Sequence, residues 1–353
     1  MTTKVQKNRI DIDLFSDTKT RPSPAMREYI FRAEVGDEQS DEDPTTIELC
    51  ERVAGLLGKE RALFLPSGTM CNQIALAVHC GPGDEIVADE TAHIINFEVG
   101  GVASTAGAMV RAIKGENGIF TATDMGGSLR QSFRHMPKSR LVVIEQTSNL
   151  GGGTIWPIRN IEEIEVLARS SGLGIHMDGA RLMNAVVASQ ISASDYAKYT
   201  DSVWIDLSKG LGCPIGGVLA GSHEFIEKSW LWKQRLGGSM RQSGMMAAAG
   251  IFALDNNVER LEDDHKNARL LAEKLSKIKG IEINPSLVET NIVICKVISE
   301  KSSARELVTK LSKIGIRVGA LSERELRIVT HLDVNEKQIH KAVEEISKIM
   351  LTA

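Results

Sequence analysis

Strand-like and helix-like segments alternate over residues 46–255, and this alternation constrains the fold of the 353-residue chain more than any other feature. Short apolar runs are separated by longer helix-like stretches, which are the crossovers that parallel strands require. The pattern therefore predicts an α/β fold whose mainly parallel sheet is covered by helices on both faces. The predicted strands are residues 61–65, 85–88, 141–145, 173–177, 203–207 and 217–220.

The two flanking regions have a different composition. Residues 1–45 are polar, contain prolines and include an acidic run over 37–43, which predicts an arm that packs on the main body or on a neighbouring subunit. Residues 256–353 begin with a charged amphipathic pattern that predicts one helix over 256–279, followed by short strands and two more helices. We therefore predict an arm (1–45), a large domain (46–255) and a small C-terminal α+β domain (256–353).

Helix boundaries within the large domain follow from capping residues. Residues 160–171 are predicted to form a helix that Asn160 caps and that Gly172 ends. A second apolar helix is predicted to follow the glycine turn of residues 237–244.

The composition excludes several classes of partner. The net charge of −4 provides no general basic surface, so nucleic acid and anionic membranes are not expected partners. The N-terminus lacks the apolar core of a signal peptide, and no apolar run reaches membrane-spanning length. The five cysteines are scattered without the paired spacing of a zinc site, which predicts free thiols in a cytoplasmic protein that holds no metal.

Two polar residues follow predicted strands and indicate an enzyme. Lys209 lies on a tight turn between a mostly apolar strand and the glycines at 210 and 212, and burial there favours a neutral, nucleophilic amine. Asp178 follows the preceding predicted strand. A pyridoxal phosphate (PLP) enzyme needs a lysine that bonds to the cofactor and a carboxylate that keeps the pyridine nitrogen protonated. Taken singly, each residue also fits an ordinary turn, but both fall on the ligand-binding edge of a parallel sheet.

A phosphate site is predicted where a helix begins after the predicted strand of residues 61–65. Gly68 and Thr69 follow a strand and place backbone amides at a helix N-terminus, which is a ready site for an anion. The same residues are also suited simply to turn the chain and cap the helix. Arg241, in the glycine-rich stretch before another helix, could reach a phosphate or lie on the helix surface.

Three further residues are candidates for substrate chemistry. His93 lies among apolar neighbours, where a histidine is either structural or placed to stack on a cofactor ring and handle a proton. His135 lies in a basic stretch that favours a surface loop. Arg327 interrupts a predicted strand and is suited to bidentate capture of a carboxylate, although an edge-strand arginine can instead reach solvent.

Together, these segments resemble the low-specificity L-threonine aldolases, which are PLP enzymes of fold type I, the aspartate-aminotransferase fold. The similarity runs over nearly the whole chain, and a set of spaced motifs is far more specific than any one of them. The motifs are Phe15-Ser-Asp-Thr-Lys-Thr-Arg-Pro22, Phe64-Leu-Pro-Ser-Gly-Thr69, Ala92-His-Ile-Ile-Asn-Phe-Glu98, His176-Met-Asp-Gly-Ala-Arg-Leu182, Leu207-Ser-Lys-Gly-Leu-Gly212, Met240-Arg-Gln-Ser-Gly244 and Arg327-Ile-Val-Thr-His-Leu-Asp333.

The resemblance implies a role for each matching cofactor residue. Lys209 would bond covalently to PLP, Asp178 would pair with the pyridine nitrogen, and His93 would stack on the ring. Arg181 would lie beside the cofactor. The implied phosphate ligands are Gly68, Thr69 and, across a subunit interface, Arg241 of the partner subunit.

The resemblance also implies how the substrate is held. Ser16, Arg181 and Arg327 would bind its carboxylate, and His135 falls where the family has a second active-site histidine near the β-hydroxyl. The chain departs from the family pattern in two places. The acidic loop over 39–43 lacks an aromatic residue and a glycine, and residues 145–149 lack a histidine that some relatives carry.

These implications add up to a predicted activity. We expect retro-aldol cleavage of L-threonine, L-allo-threonine and related β-hydroxy amino acids to glycine and an aldehyde, with His93, His135 or a water as the base. We also expect a homotetramer built as a dimer of dimers. The alternatives are another fold-type-I PLP enzyme, either a β-eliminating lyase or a serine hydroxymethyltransferase-like enzyme, and a non-catalytic α/β binding protein.

Overall fold

The computed structural model describes residues 9–131 and 133–351, and its central feature is a seven-stranded sheet. Every strand of this sheet except Gly217–Gly221 runs in the same direction, and that strand is antiparallel to both of its neighbours. The predicted α/β class with a mainly parallel sheet is therefore confirmed. In spatial order, the strands are Arg61–Leu65, Gly217–Gly221, Ser202–Asp206, Gly174–Gly179, Lys138–Glu145, Asp84–Asp89 and Met109–Ile113.

All six strands predicted for the large domain are present, with ends that differ by at most three residues. The seventh, Met109–Ile113, was not predicted. It is one of the two edge strands, and its residues are largely exposed or half-buried, with Met109 50% exposed. An edge strand buries too little surface to need a continuous apolar run, so its sequence carries a weak signal.

The helices associated with this sheet begin where side chains cap them. Ser67, Asp43 and Ser222 each accept a hydrogen bond from a backbone N–H in the first turn of the helix that follows. Short 3₁₀ or π segments cover Glu38–Ser40 and Val102–Ala106. The α-helices are Pro24–Phe31, Pro44–Leu57, Gly68–His79, His93–Asn96, Ala122–Ser128, Ile158–Ser170, Leu182–Ser189, Ala193–Ala197, His223–Arg235 and Gly244–Asn256.

Two predicted helix starts are wrong. The helix expected to start at Asn160 is Ile158–Ser170, and Asn160 lies inside it with Nδ2 donating to the carbonyl oxygen of Phe120 at 2.9 Å. The helix expected over 256–279 is Leu261–Leu275. Asn257 interrupts the pattern because its Nδ2 donates to the carbonyl oxygen of Leu211 at 2.7 Å, a side-chain bond that competes with helix continuation.

The described chain forms two compact units. One runs from Arg21 to Glu259 and contains the seven-stranded sheet; the other joins the segment up to Thr20 to the residues from Arg260 onward. In the second unit the strand Ile12–Asp13 pairs in parallel with Ile316–Arg317. This pairing joins the N-terminal segment to the C-terminal part of the chain.

The second unit is built around a four-stranded antiparallel sheet. Its strands lie in the order Gly319–Ala320, Glu325–Val329, Ile292–Val297 and Ile281–Glu282. The helices are Leu261–Leu275, Ala304–Lys313 and Glu336–Leu351, with 3₁₀ turns at Asp17–Lys19 and Pro285–Leu287. Within the described ranges, no helix combines the length and the apolar character needed to cross a membrane.

Candidate active site

Lys209 lies in the loop that follows the buried strand Ser202–Asp206. Its Nζ is 2.9 Å from Oδ2 of Asp206 and 5.6 Å from the ring centroid of Trp204, and its side chain is 15% exposed. Gly212, at φ 77°, lets the loop turn back after the lysine. The amine is therefore held between a buried carboxylate and an aromatic face at the carboxyl end of a strand.

Asp178 lies at the carboxyl end of the neighbouring parallel strand, Gly174–Gly179, in register with Trp204. Its side chain is almost completely buried. Its Oδ1 accepts a hydrogen bond from the backbone N–H of Ala180 at 3.1 Å, and Oδ2 accepts one from Nδ2 of Asn72 at 2.7 Å. Both carboxylate oxygens of Asp178 are therefore held by N–H donors.

His93 begins the short helix after the strand Asp84–Asp89 and is fixed at two atoms. Its backbone N–H donates to Oε2 of Glu145 at 2.6 Å, and its Nδ1 is 2.9 Å from Oε1 of Glu98. Burial by itself lowers the pKa of His93, but the hydrogen bond to Glu98 and the charge of Asp178 outweigh it, so the pKa is raised. Glu98 accepts the proton on Nδ1, which leaves Nε2 as the nitrogen available for proton transfer.

Asn72 links these groups, and the sequence analysis gave it no role. It is fully buried on the helix Gly68–His79, and its Nδ2 donates to Glu98 at 2.8 Å as well as to Asp178. Its Oδ1 accepts the indole N–H of Trp204 at 2.7 Å. The available sequence signal was a polar residue on the buried face of an otherwise apolar helix, one turn after Gly68.

Negative charge accumulates around this cluster. Asp178, Glu98 and Glu145 are all buried, and Glu145 lies opposite Asp178 on the adjacent strand. Burial, together with the charge of Asp178, raises the pKa of Glu145 to about 7 from an ordinary value of 4.5. The arrangement is therefore suited to receive a cationic group.

The N-terminus of the helix Gly68–His79 lies against Trp204 and Asp206, the two residues that also lie beside Lys209. A Cβ on Gly68 would lie 2.2 Å from Cη2 of Trp204 and 3.1 Å from Oδ2 of Asp206, so no larger residue fits there. Ser67 caps the helix by accepting the N–H of Met70 at 3.3 Å, and Gly68 and Thr69 form its first turn. The helix N-terminus and Lys209 thus meet at Trp204 and Asp206.

Arg181 and Arg241 belong to the same unit but have different settings. Arg181 is buried, and its Nη1 donates to Oδ1 of Asn149 at 3.4 Å. Arg241 is exposed, and its Nη1 donates to Oδ2 of Asp37 at 2.9 Å. The acidic run over 37–43 thus contacts the loop that carries Arg241.

The remaining candidates are Ser16, Arg327 and His135. In the other unit, buried Ser16 accepts hydrogen bonds from the backbone and hydroxyl of Thr18, and Nη1 of Arg327 donates to the carbonyl oxygen of Phe15 at 3.4 Å. Ser16 and Arg327 are therefore brought together by Phe15. His135 is exposed in a loop, edge-on to Phe133 with ring centroids 5.0 Å apart.

The residues present fit pyridoxal phosphate. Lys209 supplies a primary amine, the buried and negatively charged Asp178 matches a protonated ring nitrogen, and the helix start at Gly68 suits a phosphate. A metal ion is a competing explanation because ligand atoms of His93, Glu98 and Asp178 lie within 4.8 Å of one another. However, these ligand atoms already make hydrogen bonds. Oε1 of Glu98 contacts Nδ1 of His93 and accepts from Asn72, and Oδ2 of Asp178 also accepts from Asn72.

Comparison with known proteins agrees with this arrangement. The family model described as beta-eliminating lyase matches residues 13–298. The low-specificity L-threonine aldolase 1 of Arabidopsis thaliana is 38% identical over 346 residues, which cover 97% of each chain.

Solved structures share the fold. The threonine aldolase of Leishmania major superposes with a TM-score of 0.82 at 20% identity, covering 96% of this chain and 99% of that one. A structure of SPT with PLP superposes with a TM-score of 0.74 at 16% identity, covering 97% and 87%. The fold type and the family inferred from the sequence motifs are confirmed, and the chain belongs to the beta-eliminating lyase family, among whose members it is similar to the low-specificity L-threonine aldolases.

Proposed function

We propose that this protein is a PLP-dependent lyase that cleaves L-threonine, L-allo-threonine and related β-hydroxy-α-amino acids to glycine and an aldehyde. With threonine, the aldehyde is acetaldehyde. The observation that carries the proposal is the placement of Lys209 and Asp178 at the ends of neighbouring strands, beside the helix N-terminus at Gly68. The names of the sequence relatives support the reaction type.

When bound to Lys209, pyridoxal phosphate supplies a ring that accepts the electrons of the broken Cα–Cβ bond. The carboxylate of Asp178 would pair with the protonated ring nitrogen. Its hydrogen bonds from Asn72 and Ala180 hold the carboxylate in place, and its burial strengthens the interaction with a cation. Lys209 lies close to Asp206, which holds its amine in place.

A base must take the proton from the β-hydroxyl group. His93 suits this role because Glu98 orients its ring through Nδ1 and raises its pKa, which makes Nε2 a stronger proton acceptor. His135 and a water held by either histidine remain alternatives. His135 lies on an exposed loop, so a role for it requires that loop to approach the substrate.

The substrate carboxylate and the cofactor phosphate need cationic and polar partners. We assign the carboxylate to Ser16, Arg181 and Arg327, and the phosphate to Gly68, Thr69 and Arg241 of the partner subunit. The exposure of Arg241 supports a role outside its own subunit. We further propose a homotetramer, as a dimer of dimers, that is located in the cytoplasm, consistent with five free cysteines.

A second candidate reaction is β-elimination. The description of the matching family model favours it, and the same lysine and aspartate would serve. One-carbon transfer of the serine hydroxymethyltransferase kind is a third possibility. The three reactions differ in their products: glycine with an aldehyde, a keto acid with ammonia, or a folate-dependent product.

The test is incubation of the purified, PLP-loaded protein with L-threonine, with glycine and acetaldehyde measured over time. We expect equimolar glycine and acetaldehyde from wild type, and a loss of about 10⁴-fold or more in Lys209→Ala because the covalent attachment of the cofactor is removed. Lys59→Met is the matched control, since Lys59 is a half-buried lysine that donates only to backbone carbonyls.

Each outcome separates the hypotheses. Pyruvate and ammonia with serine, without cleavage of threonine, would replace the aldolase by the eliminating lyase. Wild type that binds PLP but converts none of these substrates would retain the cofactor and reject the reaction. A protein that never develops the visible absorbance of bound PLP would reject both.

A further inference from the structure

The orientation of the Asn72 side chain is fixed by its neighbours. The indole N–H of Trp204 can only donate, so the atom of Asn72 that lies 2.7 Å from it must be the amide oxygen, Oδ1. The amide nitrogen then points its two hydrogens at carboxylates, one at Glu98 (2.8 Å) and one at Asp178 (2.7 Å). Every polar atom of this fully buried side chain is therefore used.

A series of hydrogen bonds through His176, Ser202 and His79 supports the same orientation of the Asn72 side chain. His176 Nε2 lies 3.2 Å from Oδ1 of Asn72, which accepts, so this nitrogen carries the proton. Nδ1 of His176 then accepts from the hydroxyl of Ser202 at 2.8 Å, and that hydroxyl accepts from Nε2 of His79 at 2.7 Å. Burial lowers the pKa of His176 to about 3 and that of His79 to about 4, so both rings carry a single proton, as this series of hydrogen bonds requires.

The chemistry of the Asn72 side chain explains why an amide lies between two carboxylates. A lysine or arginine at this position would neutralise Asp178 and Glu98 by forming ion pairs. An amide donates to both oxygens but carries no charge, so both groups are held in place while their negative charge remains available. That charge is what a protonated pyridine nitrogen near Asp178 and a protonated His93 beside Glu98 require.

We propose that Asn72 is a positioning residue: oriented by Trp204 and His176, it holds the carboxylates of Asp178 and Glu98, and through Glu98 the ring of His93, in the arrangement that binds the cofactor. The proposal rests on the proposed function for the identity of that cofactor. Asn72 itself makes no contact with substrate in this scheme; it acts through the two acids.

The test compares two substitutions by PLP titration, with the visible absorbance of bound cofactor as readout and thermal unfolding of the cofactor-free protein alongside. Asn72→Asp keeps the shape of the side chain and the hydrogen bonds that Oδ1 accepts from Trp204 and His176. However, it places an oxygen where the amide nitrogen faced two carboxylates. One of the three acids must then take a proton or turn away. We expect PLP binding about 100-fold weaker in this variant and about 10-fold weaker in Asn72→Ala, where water can enter and donate.

The order of the two variants distinguishes positioning from packing. If Asn72 only fills space, the truncated Ala variant binds PLP worst and the isosteric Asp variant binds like wild type, and that result overturns the proposal. Asn160→Asp is the matched control, because it removes one amide donor whose acceptor is the backbone carbonyl of Phe120 rather than a carboxylate. We expect it to bind PLP like wild type.

Two further outcomes are informative. If wild type itself binds no PLP, the proposed function fails, whereas normal binding by wild type and by both Asn72 variants rejects the positioning role alone. If the variants do not fold, a crystal structure of PLP-loaded wild type decides. Contacts of the Asn72 amide nitrogen with both Asp178 and Glu98 support the proposal, and an amide turned away from either overturns it.

Discussion

Two buried polar networks within the unit from Arg21 to Glu259 differ in charge balance. In one, the ammonium group of Lys233, which is 0% exposed, lies 2.5 Å from Oε1 of buried Glu38. In the other, the buried carboxylates of Asp178 and Glu98 share the neutral amide of Asn72. The first network pairs each charge with its opposite, whereas the second leaves negative charge in excess.

The balanced network fastens two segments of chain together. Glu38 also accepts the backbone N–H of Met240 at 3.1 Å, and Nε2 of Gln39 donates to the carbonyl oxygen of Met240 at 3.3 Å. The acidic run over 37–43 thus packs on the loop that carries Arg241. Such a charge-balanced network can be explained by structure alone, while unbalanced buried charge is costly unless a ligand completes it. The difference supports the proposal that the second network is the binding site.

The largest expected effect tests the balanced network. Lys233→Met leaves Glu38 as a buried, unpaired charge, and we expect the free energy of unfolding to fall by about 3–5 kcal/mol. Urea denaturation of the cofactor-free protein measures it. Adding Glu38→Gln should recover much of the loss, because the stranded charge is then removed. Equal stability of the single and double variants would show that the pair is not the cause.

The opposite pattern is expected at the unbalanced network. Asp178→Asn removes one of the crowded carboxylates, so the cofactor-free protein should be at least as stable as wild type. Threonine cleavage should nevertheless fall by about 10²–10³-fold, because the ring nitrogen loses its charged partner. Steady-state kinetics and thermal unfolding measure the two quantities. Cleavage close to the wild-type rate would mean that Asp178 takes no part in the mechanism and that the excess negative charge of this network does not serve catalysis.

Sequence reasoning reached the parts of the molecule that follow local rules. Buried strands read as apolar runs, and Asp178 and Lys209 were identified because polar residues at the ends of such runs are costly without a purpose. The helix start at Gly68 followed from a strand, a turn and a capping serine. These features depend on residues that are close together in the chain.

The remaining features depend on contacts between distant residues. Asn72 meets Glu98 across 26 positions and Asp178 across 106, so no local pattern shows that these three side chains share hydrogen bonds. The edge strand Met109–Ile113 was missed for a related reason, since its pairing with Asp84–Asp89, rather than its own composition, makes it a strand. The true start of Leu261–Leu275 likewise depends on Asn257 reaching a carbonyl in another loop.

The smallest expected effect probes the excess charge directly through Glu145, whose pKa is raised to about 7 by burial and by Asp178. Below its ordinary pKa of 4.5 the group is protonated in the folded and unfolded states alike. As the pH rises towards 7 the unfolded chain ionises first, so wild type loses stability.

Glu145→Gln cannot ionise, and we expect wild type to lose about 1–3 kcal/mol relative to it across this interval. Denaturant unfolding of both cofactor-free proteins at several pH values measures the difference, with exposed Glu162→Gln as control. If the stability difference between the two proteins stays constant or shrinks with rising pH, burial and Asp178 do not disfavour the ionised form of Glu145. The excess of negative charge would then be smaller than the geometry implies.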